Sequence, residues 1–177
     1  MPRFGSNDMT GKVRVLRSVA RLGVAGTAFA LLGGQSVAPL PSPPLPADAR
    51  SITGQRISVD PNSGARFVVL DFFTSWCVPC GPEARQLERV QQRLAGKGVL
   101  VVGIDVREDA GKARDFARDN HLTYPIMTDD GRMEKQYRAW AYPLVIIIDQ
   151  RAGTIQRLEG ERDDLEARIG RVVDGRE

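Results

Sequence analysis

The chain has 177 residues and a mass of 19.4 kDa, which suits one domain with an appendage and excludes two full domains. With 42% hydrophobic and 27% charged residues, it can bury a core and is neither disordered throughout nor a multi-pass membrane protein. Two cysteines and one histidine are too few for a disulfide scaffold, a four-cysteine zinc site or a histidine-rich metal centre.

The net charge of +3 belongs to the N-terminal part of the chain. Within residues 1–48, five basic residues stand against Asp8 and Asp48, whereas the remaining 20 basic and 20 acidic residues cancel. A neutral domain lacks the basic stripe that binding to a phosphate backbone requires. We therefore expect no nucleic-acid partner.

An apolar run of eleven residues, 22–32, follows the basic cluster that ends at Arg21. Basic residues followed by a short apolar stretch are typical of a secretory signal. Residues 1–38 are therefore predicted to be a signal peptide or an uncleaved membrane anchor, since residues 22–40 are nineteen uncharged residues, about the length that spans a bilayer. The third interpretation is a buried helix of the domain, but no amphipathic pattern supports it.

Five prolines fall within residues 39–46. Such a composition favours an extended, semi-rigid chain, so residues 39–50 are predicted to be a linker. The domain itself is predicted to occupy residues 51–177.

From Ser51 onward, strand-like and helix-like segments alternate, which predicts an α/β domain with a central, largely parallel sheet. Strands are predicted at residues 67–73, 98–106, 124–128, 144–149 and 154–158, the last at a sheet edge. Helices are predicted at residues 83–94, 109–119, 131–139 and 163–173.

The chemistry-bearing segment is Thr74-Ser-Trp-Cys-Val-Pro-Cys-Gly-Pro-Glu83, at the junction of a strand and a helix. Two cysteines at this spacing can close and reopen a disulfide, and the helix dipole lowers the pKa of the first thiol. Cys77 is thus the expected nucleophile and Cys80 the resolving thiol, and Trp76 is expected to shield one side of the pair and to contact the substrate. The alternatives are a static disulfide and half of a metal site, for which His121 is the only remaining ligand besides carboxylates.

The run from Leu70 to Cys80 resembles the active site of the thioredoxin superfamily, and the resemblance covers about residues 52–173. It is most similar to the exported, membrane-tethered TlpA/ResA-type proteins, which reduce disulfides outside the cytoplasm, often during cytochrome c maturation. Glu83 matches an acidic residue of that branch. The 63-residue step from Cys80 to Pro143 leaves room for its additional helix and strand. The resemblance implies a thioredoxin-like fold, a mixed sheet flanked by helices with this helix–strand insertion.

The resemblance also implies a proton carrier. Asp71 matches the buried acid of thioredoxin, which is thought to help deprotonate the resolving cysteine, and burial should raise its pKa toward neutrality. Asp71 could instead be a strand residue that faces a polar gap. A carboxylate such as Glu83 is also favoured in a first helical turn without any catalytic role.

The dipeptide Tyr142-Pro143 precedes the third strong strand, where the superfamily carries a cis-proline. The resemblance implies that Pro143 and Tyr142 bind the backbone of an extended substrate. Ala141 and Leu144 depart from the usual glycine and threonine of this loop. Tyr142 and Trp140 are expected either to shape an aromatic substrate groove or to belong to the core.

We therefore expect a monomeric, periplasmic thiol–disulfide oxidoreductase without a cofactor, in contact with the membrane only through its N-terminal segment. Its expected partners are a protein disulfide and a membrane electron donor. One alternative is a disulfide oxidant or isomerase, although residues 78–79 lack the histidine of strong oxidants. Another class is a copper-binding chaperone that uses Cys77, Cys80 and His121. The spacing of the two cysteines argues against this class. A peroxidase would need a pocket that is not recognisable in the sequence.

Overall fold

A computed structural model describes residues 44–60, 62 and 64–176. The predicted signal or anchor at residues 1–38 and the first part of the predicted linker lie outside the described residues. Within the part that is described, no helix combines the length and apolarity needed to cross a membrane.

The described residues form one mixed sheet of five strands in the order β3-β2-β1-β4-β5. The strands are β1 (Phe67–Phe73), β2 (Val99–Val106), β3 (Ile126–Asp129), β4 (Leu144–Asp149) and β5 (Thr154–Glu159). β1, β2 and β3 are parallel, β4 is antiparallel to β1, and β5 is antiparallel to β4. The structure confirms the predicted α/β fold, and all seven residues of the central strand β1 are buried, as its apolar composition indicates.

Helices cover both faces of the sheet. They are α1 (Cys80–Leu94), α2 (Ala110–Asp119), α3 (Arg132–Tyr137) and α4 (Leu165–Val173), with a 3₁₀ turn at Ala95–Lys97. Side chains from α1, α2 and α4 share one core with Phe67, Val69 and Phe73 of β1, whereas α3 packs on the opposite face with Val68 and Phe72. α1 and α2 lie on the same face because successive right-handed crossovers in one direction along a sheet place their helices together. α2 and β3 supply the additional helix and strand.

The end of the predicted linker packs on the domain. Leu45 and Ala49 are almost fully buried in the core on the α3 face, and the Tyr137 hydroxyl donates a hydrogen bond to the Pro44 carbonyl oxygen at 2.9 Å. Arg50 also forms an antiparallel bridge with Arg56. Residues 44–50 therefore pack on the domain, because the apolar side chains of Leu45 and Ala49 are buried in its core.

Helix α1 begins at Cys80, three residues earlier than the sequence predicts. Pro82 lies in its first turn, where a backbone N–H has no partner within the helix, so the missing donor removes no helical hydrogen bond. The early start places Cys80 on the helix and Cys77 in the turn before it.

Candidate active site

The two cysteines join the carboxyl end of β1 to the start of α1. They form a disulfide with an S–S distance of 2.01 Å and a Cα–Cα distance of 5.4 Å. A tight turn holds them, in which the Cys77 N–H donates to Thr74 O and the Cys80 N–H donates to Cys77 O, both at 3.1 Å. Cys77 is 7% exposed and Cys80 is 1% exposed. Cys77 is therefore the more exposed of the two cysteines.

Exposed apolar side chains adjoin Cys77 in the chain. Among the described residues, the large hydrophobic side chains that face solvent are Trp76 (70% exposed), Val78 (87%) and Trp140 (64%). The Trp76 ring meets the Tyr142 ring edge-on, with centroids 6.4 Å apart, and the Tyr142–Pro143 peptide bond is cis, as the sequence predicts. The structure thus brings Trp76 and Tyr142, two of the residues predicted to bind substrate, into contact. Exposed apolar surface of this kind is typical of binding sites.

Asp71 is buried in the middle of β1, on the face that carries α1. It is 1% exposed, and the Tyr124 hydroxyl donates a hydrogen bond to its Oδ2 at 2.9 Å. Burial raises the pKa of Asp71 from 3.8 to about 7, although the Tyr124 hydrogen bond opposes the shift. Asp71 can therefore bind and release a proton near neutral pH.

Glu83 lies in the first turn of α1, three residues after Cys80, and is 1% exposed. Neither of its carboxylate oxygens has a hydrogen-bond partner among the described residues. Burial raises the pKa of Glu83 to about 8, with further contributions from the charges of Asp71 and Glu161 and opposition from Arg162. Asp71 and Glu83 are therefore one electrostatic unit, and each disfavours ionisation of the other.

Asp105 and Glu108, which the sequence analysis did not select, also belong to this region. Asp105 is the penultimate residue of β2, opposite Phe73 of β1, and it is fully buried. Glu108 follows in the loop before α2 and accepts hydrogen bonds from the Ser75 N–H and, at 2.8 Å, the Ser75 hydroxyl. Asp71 is also an acid within an apolar strand, and the same pattern could have found Asp105.

The same loop reaches the Pro143 side of the site. Arg107 has a left-handed backbone (φ 57°), and its Nε donates to Glu134 Oε2 at 2.6 Å. Glu134 Oε1 accepts a hydrogen bond from the Tyr142 hydroxyl at 3.0 Å. Residues 107–108 therefore link the cysteine turn on one side to the proline loop on the other.

A groove of about 430 Å³ runs beside Cys77 between α1 and α2, and its lining includes Arg85, Lys112 and Asn120. Gly81 allows the two helices to approach, because a Cβ at this position would lie 2.9 Å from Asn120 Oδ1. The groove is polar, unlike the aromatic surface formed by Trp76 and Tyr142.

The structure does not assemble the ligands of the copper hypothesis. His121 is exposed and follows the end of α2. In the described part of the chain, no group of three or more histidine, cysteine, aspartate or glutamate side chains is arranged to hold a metal ion. Cys77, Cys80 and His121 are therefore not brought together.

The sheet order, the cysteine turn at a helix start and the proline loop beside it define a thioredoxin-like domain. The chain belongs to the AhpC/TSA family, whose model matches residues 40–157. The Thioredoxin-like protein YneN of Bacillus subtilis is 32% identical over 109 residues, 60% of this chain and 63% of YneN. Thiol-disulfide oxidoreductase ResA of Bacillus thuringiensis subsp. konkukian is 26% identical over 125 residues, 69% of this chain and 72% of ResA. The chain thus spans less than two thirds of YneN.

Solved structures agree with the fold. A secreted Mycobacterium tuberculosis disulfide oxidoreductase homologous to E. coli DsbE superimposes with a TM-score of 0.58 and 27% identity, covering 69% of this chain and 92% of that one. StoA from Bacillus subtilis gives a TM-score of 0.55 and 27% identity, covering 68% and 92%. The resemblance to ResA-type proteins is confirmed by these relatives, which are named thioredoxin-like proteins and thiol–disulfide oxidoreductases, in agreement with the predicted class.

Proposed function

We propose that this protein reduces disulfide bonds in other proteins outside the cytoplasm, with Cys77 and Cys80 as its redox pair. The observation that carries the proposal is the disulfide-bonded cysteine pair at the start of α1, in which Cys77 is 7% exposed and Cys80 is 1% exposed. The names of the ResA and StoA relatives support a thiol–disulfide exchange reaction.

In the reduced protein, the Cys77 thiolate attacks one sulfur of the substrate disulfide. The S–S bond breaks, a mixed disulfide with Cys77 forms, and the first substrate thiolate leaves and takes up a proton. Cys80 then loses its proton and attacks Cys77 Sγ, which releases the second substrate thiol and forms the Cys77–Cys80 disulfide. Two electrons pass to the substrate, so a donor must return two electrons and two protons to the protein.

The start of α1 favours the thiolate of Cys77, because unpaired backbone N–H groups and the helix dipole stabilise negative charge there. Asp71 and Glu83 lie on the interior side of the pair and serve the Cys80 proton. Their raised pKa values, about 7 and about 8, allow this carboxyl unit to hold or release a proton near neutral pH. We assign proton transfer to the coupled pair rather than to one residue.

The surface around Cys77 binds the substrate. Trp76 and Tyr142 offer aromatic rings to the side chains beside the substrate cysteine, and Pro143 presents the backbone of its loop to an extended segment. The groove between α1 and α2 gives the other side of Cys77 a polar surface. This arrangement supports a polypeptide substrate.

Export is supported by the basic cluster and the apolar run of residues 22–32, and by the secreted Mycobacterium tuberculosis relative. We propose that residues 1–38 are a signal peptide or membrane anchor, that a membrane protein supplies the electrons, and that the protein acts as a monomer. Cytochrome c maturation is the process that the resemblance to the TlpA/ResA-type proteins favours.

The midpoint potential of the Cys77/Cys80 couple tests the proposal, with tryptophan fluorescence as the readout because Trp76 adjoins Cys77. A value at or below about −270 mV would support a reductant, whereas a value near −120 mV would replace it with an oxidant. The absence of a reversible couple would reject both.

A further inference from the structure

Asp105 is a buried acid in an unusual environment. It is fully buried where β2 ends, and neither of its carboxylate oxygens accepts a hydrogen bond from any described N–H or O–H group. The carboxyl group of Glu108, three residues further along the chain, is its side-chain hydrogen-bond partner. A hydrogen bond between two carboxyl groups needs one proton, and two ionised groups in contact would repel each other.

The surroundings decide which carboxyl group holds that proton. Glu108 accepts hydrogen bonds from the Ser75 N–H and hydroxyl and forms an ion pair with Lys112 at 3.2 Å. Burial opposes ionisation of Glu108, but these hydrogen bonds lower its pKa. Burial and the contact with Glu108 raise the pKa of Asp105 to about 8. At neutral pH, protonated Asp105 therefore donates to ionised Glu108.

We propose that Asp105 and Glu108 share one proton and act as positioning residues that hold Ser75, and with it the turn that carries Trp76 and Cys77. The proposal deepens the proposed function, since it concerns the nucleophile of the same exchange reaction. The Asp105 proton joins the two carboxyl groups, and the Glu108 charge joins them to Ser75.

The proton is lost as the pH rises through about 8, the folded-state pKa of Asp105. The groups that face Asp105 from α2 and its loop are Glu108 and Asp109, which oppose ionisation, and Lys112, which favours it. The strand neighbours are uncharged, namely Phe73 on β1 and Thr128 on β3. Above this pH, two like charges repel each other and the hold on Ser75 weakens.

The turn at residues 74–77 connects the loss of the Asp105 proton to Cys77. The Cys77 N–H donates to Thr74 O, and Ser75 is the next residue in the same turn. A loosened turn takes the Cys77 sulfur away from the helix N–H groups that stabilise its thiolate, so its pKa rises. The thiolate fraction of Cys77, and with it the exchange rate, should therefore increase less above about pH 8 than the ionisation of a single thiol predicts.

The test is the pH profile of thiol–disulfide exchange in the full chain, together with the ultraviolet absorbance of the Cys77 thiolate in a Cys80→Ser background. Asp105→Asn keeps a neutral donor toward Glu108 at every pH, so it should keep the rate below about pH 8 and remove the shortfall above it, restoring the profile of a single thiol. Glu108→Gln weakens the acceptor of Ser75, and it should raise the pKa of Cys77 and slow exchange roughly two- to tenfold, as expected for the loss of one hydrogen bond.

Ser75→Ala removes the hydroxyl that donates to Glu108. Because Ser75 is exposed, this variant should fold even if a variant at buried Asp105 does not. It should shift the Cys77 titration in the direction of Glu108→Gln but by less, because the backbone N–H of residue 75 still donates. Asp149→Asn is the matched control: Asp149 ends β4 opposite Phe67, at the other end of β1 from the cysteine turn, and should leave the profile unchanged.

A wild-type profile in folded Asp105→Asn, or an unchanged Cys77 titration in Ser75→Ala, would overturn the proposal. The result is separable from the proposed function. If the protein reduced no disulfide at any pH while the thiolate absorbance still responded to these variants, the role of Asp105 and Glu108 would stand and the proposed activity would fall.

Discussion

Two pairs of carboxyl groups occur near the cysteine turn, and they differ in how their protons are held. Asp71 and Glu83 both have raised pKa values, about 7 and about 8. In the second pair, the pKa of Asp105 is raised whereas hydrogen bonds from Ser75 lower that of Glu108. Two groups that titrate near neutrality suit proton transfer, whereas one protonated and one charged partner make a stable contact.

The largest effect should come from the nucleophile itself. Cys77→Ser removes the proposed nucleophile, the more exposed of the two cysteines, so protein disulfide reduction should fall to the background rate. Cys80→Ser keeps the attack and removes the resolving step, so it should accumulate mixed disulfides that non-reducing electrophoresis detects. Reduction by Cys77→Ser at the wild-type rate would make both carboxyl pairs irrelevant to this chemistry.

Glu83→Gln should slow the step in which Cys80 releases the mixed disulfide. The amide cannot take up the Cys80 proton, so we expect a loss of roughly tenfold to a hundredfold at neutral pH, within the range of general acid–base catalysis. Single-turnover kinetics should show the first attack by Cys77 unchanged, which separates this effect from that of Glu108→Gln.

Glu88→Gln is the matched control for Glu83. Glu88 lies on the same helix and is also buried, but it accepts hydrogen bonds from Thr123 and its pKa is lowered. Its substitution should leave the release step unchanged. An equal loss of rate in both variants would assign the Glu83 effect to packing of α1.

Asp71→Asn should increase stability at neutral and alkaline pH. The raised pKa means that the unfolded chain ionises this group above about pH 4, whereas the folded protein does so only near 7, so wild-type stability falls across this interval. The full penalty corresponds to about 4 kcal/mol, from which the unpartnered amide hydrogens of asparagine subtract. We expect a net gain of about 2 kcal/mol in the free energy of unfolding near pH 8.

Urea unfolding at several pH values measures this effect. The gain should disappear as the pH falls, and below about pH 4, where Asp71 is protonated in both states, the variant should be less stable than wild type by the cost of its amide hydrogens. A constant difference between variant and wild type at every pH would contradict the raised pKa.

The two pairs also show which parts of a site the sequence makes visible. Asp71 and Glu83 stand at fixed distances from the cysteines along the chain, so spacing and resemblance found them, and the apolar strands and amphipathic helices were equally local signals. Asp105 follows Cys80 by 25 residues and reaches the site only because β2 pairs in parallel with β1. The register that brings Glu108 to Ser75 is a tertiary property.

Residues 44–50 illustrate the same limit. Their prolines predicted a linker, because local composition favours an extended chain. Burial of Leu45 and Ala49 depends on a hydrophobic site formed by distant elements, including Met133 and Tyr137 of α3. An extended segment can also be buried, and the amino-acid composition of residues 44–50 predicts only its extended conformation.

Tyr124→Phe should have the smallest effect and should act on the first pair alone. Removing the hydroxyl takes away the hydrogen bond that partly offsets the burial of Asp71, so the pKa of Asp71 should rise further and the alkaline limb of the release step should move to higher pH. The change corresponds to about 1 kcal/mol, one ordinary hydrogen bond. The Cys77 titration should not move, because Tyr124 touches neither Ser75 nor Glu108. A shift of that titration would show that the two carboxyl pairs are coupled through the cysteines, and their division into a proton carrier and a positioning contact would then fail.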